Sequence, residues 1–160
     1  MTSETKAVLA EQARQLIQPA LISNLVHIAV VGAIYAMFRD TVDVNLLTLW
    51  WITSTLFACS RLLVWYRYKK HIGSGNEQRE LTSYTYLSAL LGFTWAGFSL
   101  FYMATADSEL KSVIVILSCG VMAAAVPVLS AWSRAFYAFT LPQFISLLSV
   151  LFLSGNCPVL

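Results

Sequence analysis

His27 stands inside a long apolar stretch, with Ser23 four residues and Asn24 three residues before it, so all three share one helix face. Such a trio could hold a ligand, a metal or a proton toward the inside of a helical bundle. It could equally be a hydrogen-bonding face that satisfies buried polar groups between helices. Arg61 offers a second candidate. It lies five to six residues inside another apolar stretch, whose middle is unusually polar through Thr53, Ser54, Thr55 and Ser60. Its guanidinium either faces inward to pair with an anionic ligand or a carbonyl, or snorkels toward headgroups as an anchor.

Other chemistry is scarce. Cys59, Cys119 and Cys157 form no CxxC pair and no metal cluster. Cys59 and Cys119 are expected to be buried and reduced, and Cys157, if outside, is the thiol open to oxidation. A transmembrane haem would need a second axial histidine, but His71 falls in a polar joint. No metal or cofactor is therefore expected. The apolar stretches contain no carboxylate, which leaves an intramembrane aspartyl protease or a carboxylate proton relay nothing to work with. HExxH, P-loop and GxGxxG motifs are absent, and His27 has no recognisable serine-triad partners. The chain itself is expected not to be an enzyme.

The elements that must position these residues follow from composition. Of 160 residues, 58% are hydrophobic and 11% charged, against about 25% charged in an ordinary soluble domain. Eighteen charged side chains cannot cover a soluble core, so lipid must be the solvent for most of the surface. The net charge of +2 argues against a nucleic-acid partner. Five apolar windows, 21–38, 46–66, 84–103, 112–129 and 135–153, are each long enough to cross a bilayer core of about 30 Å as a helix. They lack the two-residue alternation of a membrane β-barrel. The expected fold is all-α: a cytoplasmic segment over 1–19, then a polytopic membrane bundle over 20–160. The short joints 39–45, 67–83, 104–111 and 130–134 predict antiparallel neighbours.

Orientation is read from the basic residues. Lys6, Arg14, Arg67, Lys69, Lys70, Arg79 and Arg134 flank one side, and only Arg39 and Lys111 the other. Seven against two place the N-terminus in the cytoplasm of an inner-membrane protein. Arg67, Lys69, Lys70 and Arg79 determine topology and could also attract acidic headgroups. Trp50, Trp51, Trp65, Tyr66, Tyr84 and Tyr102 fall near span ends, where interfacial aromatics collect. Five spans that start inside finish outside, so a sixth helix, and a cytoplasmic domain after it, are expected in a parent protein. At the other end, Leu9, Ala13, Leu16, Ile17 and Leu21 share a face. Residues 3–18 are either an in-plane helix on the cytoplasmic leaflet or a frayed extension interrupted at Pro19.

Small residues mark helix contacts. Ser88, Gly92 and Ala96 repeat every four residues on the third span, and Gly120 and Ala124 do so on the fourth. Both patterns let helix backbones approach closely, within the bundle or across a dimer face. Pro127 and Pro142 predict kinks or local breaks.

Several segments together resemble a known type. They are Ser60-Arg61-Leu62-Leu63 running into Tyr66-Arg67-Tyr68, Gly92-x-x-Trp95-Ala96-Gly97, Gly120-x-x-Ala123-Ala124-Ala125 leading to Leu129-Ser130-Ala131, and Phe136-x-x-Phe139-x-x-Pro142. Over residues 12–155 the chain is similar to the N-terminal multi-pass membrane regions of bacterial sensor histidine kinases and GGDEF diguanylate cyclases. Those regions usually have six spans before a cytoplasmic output domain. The resemblance implies a non-catalytic sensory or anchoring input domain, homodimeric through its parent, with the lipid bilayer as its surroundings and a ligand no residue identifies. The rival expectation is a small transporter or channel subunit, against which stand the absence of acidic residues in the spans and of an evident inverted repeat.

Overall fold

Apolar runs of this length leave the backbone only its own amides and carbonyls to bond, and helices result. The computed structural model describes residues 3–70, 77–105 and 108–155, where every regular element is an α-helix. In chain order they are α1 (Ser3–Ile17), α2 (Ala20–Phe38), α3 (Val44–Lys70), α4 (Glu77–Thr105), α5 (Ser108–Leu129) and α6 (Ser133–Gly155). The expectations for His71, Cys157 and the tail from residue 156 lie outside the described residues.

Several helices outrun the apolar windows. Most of the joint 67–83 is helical, because charges suit helix ends: Arg67, Lys69 and Lys70 sit in the last turn of α3, and Glu77 and Glu80 in the first turn of α4. Each complements the local helix dipole. At the other end of α3, Asp43 Oδ1 accepts from the amides of Asn45 at 2.9 Å and Leu46 at 3.2 Å, a side-chain N-cap. Four helical stretches, Ala7–Phe38, Val44–Lys70, Glu77–Met103 and Glu109–Leu129, are long and apolar enough to cross a membrane. Among the described residues, α6 is not one of them.

α4 is the hub. α1, α3, α5 and α6 all pack on it, and its most extensive contact is with α6. Those two helices run parallel. Trp132 Nε1, just before α6, donates to Thr85 Oγ1 at 3.0 Å, and nearly two turns into α6 the backbone of Phe139 lies against Gly92. Further along, Ser146 Oγ donates to the Ala96 carbonyl at 3.0 Å. From α2 onward sequence neighbours are antiparallel, as short joints require: Arg67 at the end of α3 pairs with Glu80 at the start of α4 at 3.1 Å. Tyr35 and Thr48 hydroxyls meet at 3.2 Å where α2 turns into α3.

The bundle is apolar outside and partly polar inside. Ile22, Phe93, Ile116 and Phe152 are each more than 60% exposed, whereas Asn24, Ser54, Arg61, Ser88, Ser99, Ser118 and Gln143 are buried. This inverts the order of a water-soluble protein and matches helices whose surroundings are hydrocarbon. α1 is a separate helix, ended by the turn at Gln18 and Pro19. Its residues Ala13, Leu16 and Ile17 are fully buried against the bundle, while Leu21 lies beyond the turn and is 36% exposed.

Three expectations need correction. Cys59 and Cys119 are exposed rather than buried, since both fall on outward helix faces. Gly120 and Ala124 also face outward, and a Cβ on Gly120 would meet nothing within 4 Å, so this pair packs no helix within the described bundle. Trp50, Tyr84 and Tyr102 lie near helix ends but are turned inward, at most 6% exposed. Of the kinks or local breaks expected at the prolines, a break does not occur: Pro127 falls in the last turn of α5, and α6 continues through Pro142. A proline costs its helix one backbone bond, which the surrounding turns can tolerate.

Candidate functional site

α2 and α5 form two sides of a cleft whose floor is made by α3, α4 and α6. α2 contributes Ser23, Val26, His27 and Val30, and α5 contributes residues from Val121 to Leu129. Arg61, Leu91 and Phe139 complete the floor. Its cavity volume is about 120 Å³, below the range of drug-sized sites, and the cleft is open at its mouth. Val26 and Ala124 are exposed and stand at that mouth, so the cleft opens sideways through the apolar outer surface.

Arg61 is the charged group of the cleft. Only 5% of it is exposed, and its guanidinium carbon lies 4.4 Å from the centre of the Tyr84 ring, in cation–π geometry. One terminal nitrogen donates to the Tyr84 hydroxyl, while Nε has no acceptor among the described residues. The ion pairs there are Arg14 with Glu11, Arg39 with Asp40 and Arg67 with Glu80. No described carboxylate pairs with Arg61. The side chain is held in the interior rather than reaching out along the helix surface.

The Ser23, Asn24 and His27 face does turn inward, but not to a shared hydrogen bond. Ser23 Oγ donates to the Ala20 carbonyl at 3.2 Å, within its own helix. Asn24 is fully buried, and neither its amide nitrogen nor its oxygen meets a partner among the described residues. His27 Nε2 is likewise buried without one, and the ring packs edge-on to Trp95 at 5.9 Å. Behind Trp95 an aromatic cluster continues through Trp50, stacked on Phe98 at 4.3 Å. Of the polar middle of α3, Thr53 and Ser60 bond back to their own helix, whereas Ser54 and Thr55 have no described acceptor or donor.

The small residues divide between two surfaces. Ser88, Gly92 and Ala96 are buried in the α4–α6 seam, where a Cβ at residue 92 would come within 3.0 Å of the Phe139 Cα. Ala124 belongs to the cleft mouth and Gly120 to the open face of α5. The basic residues at the α3–α4 end do not enter the cleft. Arg67 binds Glu80, Lys69 lies 5.3 Å from the Trp65 ring centre, and Lys70 and Arg79 are exposed.

Tyr84, Trp95 and Gln143 are site or core residues that sequence reasoning did not select. Tyr84 had a usable signal: Arg61 and Tyr84, like Arg67 and Glu80, are placed almost symmetrically about the α3–α4 joint, the register of an antiparallel helix pair. Trp95 stood out only within the segment Gly92-x-x-Trp95, with nothing to place it against His27, and Gln143 carried no signal. No group of three histidine, cysteine, aspartate or glutamate side chains among the described residues could hold a metal. No family model matches the chain, and no curated protein or solved structure is detectably similar.

Proposed function

We propose that the chain is the non-catalytic membrane input domain of a bacterial signalling protein. In this reading α2 to α6 all cross the inner membrane, α6 as the fifth span, with the N-terminus and the α3–α4 joint in the cytoplasm. The output, a histidine kinase or a diguanylate cyclase, belongs to the parent protein, whose dimer brings two such bundles together. The observation that carries the reading is the sideways cleft: a buried, carboxylate-free arginine between helices α2 and α5, in a bundle otherwise pinned on α4. An input domain needs two helix arrangements of similar free energy and a ligand that binds one of them better. A cleft between two peripheral helices offers such an arrangement, because either can move without unpacking the α4–α6 seam.

The parent reading frame tests the class. A further apolar span followed by a kinase or GGDEF domain is expected, and a frame ending at Leu160 would favour the second reading. That reading, a small transporter or channel subunit, is favoured by the same buried cation. Reporter fusions after residue 153 test the topology: alkaline phosphatase should be active there and green fluorescent protein dark. The reverse pattern would overturn five crossings.

A further inference from the structure

We propose that the α2–α5 cleft binds a single-chain amphiphile with an anionic head, of the long-chain fatty-acid class, with the carboxylate on Arg61 and the chain lying toward the mouth. The cleft has the composition such a ligand needs. Its walls are aliphatic, from Val26 and Val30 on one side to Val121 and Val128 on the other. Its polar lining is confined to three side chains, Arg61 from α3 and His27 and Ser23 from one face of α2.

Charge selects the head group. A guanidinium buried in a bundle is costly unless a counter-charge and hydrogen-bond acceptors meet it. Tyr84 provides one neutral acceptor and a ring face, which leaves the positive charge unbalanced and Nε without an acceptor. His27 Nε2, also buried and without a described partner, adds a second polar atom beside the cleft. A carboxylate can take two guanidinium hydrogens at once, a geometry a ketone or an ester carbonyl cannot match. The mouth selects the tail. It lies between exposed Val26 and Ala124, on a surface where Leu25 and Val126 are also exposed, so an acyl chain would pass from the cleft into apolar surroundings. The cavity volume of about 120 Å³ has room for a small head group and the start of one chain, with the rest in the apolar surroundings, and not for a glycerophosphate carrying two.

This site names a stimulus class for the input domain and rests on that reading only for what binding achieves; binding itself is measured without any output domain. The probe is a dansyl-labelled undecanoic acid, added to the 160-residue chain in nanodiscs of phosphatidylcholine. Energy transfer from tryptophan reports occupancy, since Trp95 touches His27. Saturable transfer is expected, with affinity at least tenfold weaker for the methyl ester of the probe. Arg61→Gln should weaken binding at least tenfold, and Ala124→Trp, which fills the mouth from an exposed position, should abolish saturable transfer while leaving the helical circular dichroism unchanged. Should Arg61→Gln fail to fold, the ester and Ala124→Trp decide the matter alone. Free oleate should displace the probe more readily than phosphatidylglycerol incorporated in the discs. Equal binding of acid and ester, wild-type binding by folded Ala124→Trp, displacement by phosphatidylglycerol alone, or no saturable transfer would each overturn the proposal. Any of these results could occur with the signalling assignment intact, because topology and output are read separately.

Discussion

The α4–α6 seam and the α2–α5 cleft hold small residues at similar spacing and use them in opposite ways. In the seam, Ser88, Gly92 and Ala96 bring two parallel helices close enough for the Phe139 backbone to occupy the space a Cβ would need. Beside the cleft, Gly120 and Ala124 bring nothing together within the described bundle. In the seam Trp132 bonds Thr85 and Ser146 bonds the Ala96 carbonyl, while the buried Gln143 Oε1 of α6 has no partner among the described residues. The cleft region leaves Asn24, His27 Nε2 and Arg61 Nε without described protein partners. The difference that remains is one of packing: the seam is closed by backbone contact at Gly92, and the space between α2 and α5 is left open. A pattern of small residues therefore marks where helices could approach, and only the opposing surface determines whether they do.

The largest expected effect tests the seam. Gly92→Val places a branched side chain against the Phe139 backbone, which cannot move like a flexible side chain. A loss of about 3 kcal/mol or more is expected, the upper end of overpacking. Unfolding in mixed micelles of rising SDS fraction measures it, and a loss under about 1 kcal/mol would mean the two helices are not in close contact. On the cleft side the expected sign is opposite. Asn24→Leu replaces a fully buried amide that has no described partner, and should gain about 2 kcal/mol by removing an unsatisfied group. A loss of similar size in the same titration would show that Asn24 is bonded in the working protein and that the contrast between the two regions is false.

Much of the fold was legible, and the reason is lipid physics. Long apolar windows can only be helices, and their approximate positions were read without tertiary information. Their ends were not, because residues such as Arg67 and Glu80 belong to helices by capping and pairing rather than by hydropathy. Parallel packing of α4 on α6 was also hidden: the length of a joint predicts how sequence neighbours run, not which more distant helix packs best. In the candidate site, Arg61 and His27 stood out because polar groups are rare in such helices. Whether Arg61 turns inward or outward depends on Tyr84, one helix away, and neither composition nor helical spacing carries that. The same limit misplaced Cys59 and Cys119, since apolar character is needed on both faces of a membrane helix and leaves no signal of which is inside.

Gly120→Ala sharpens the comparison with a smaller effect. A glycine in mid-helix costs roughly 0.5–1 kcal/mol relative to alanine, and the added Cβ would meet no atom within 4 Å. A gain of about that size is expected in the isolated chain. A loss, or weaker self-association of the chain, would place a second surface against α5 and make this face a dimer contact.

The smallest effect separates shape from hydrogen bonding in the seam. Ser146 is 2% exposed and donates to the Ala96 carbonyl, which also accepts the amide one helical turn ahead in α4. Ser146→Ala removes the donor without leaving that carbonyl unpaired, so the loss should be about 0.6 kcal/mol, the usual size for such bonds in membrane bundles. Set against Gly92→Val, the ratio is the informative quantity. A small loss at Ser146 beside a large one at Gly92 means the seam is held by contact between surfaces, and its hydroxyls align helices already close. Comparable losses would mean the polar bond sets the approach, and Gly92 merely permits it.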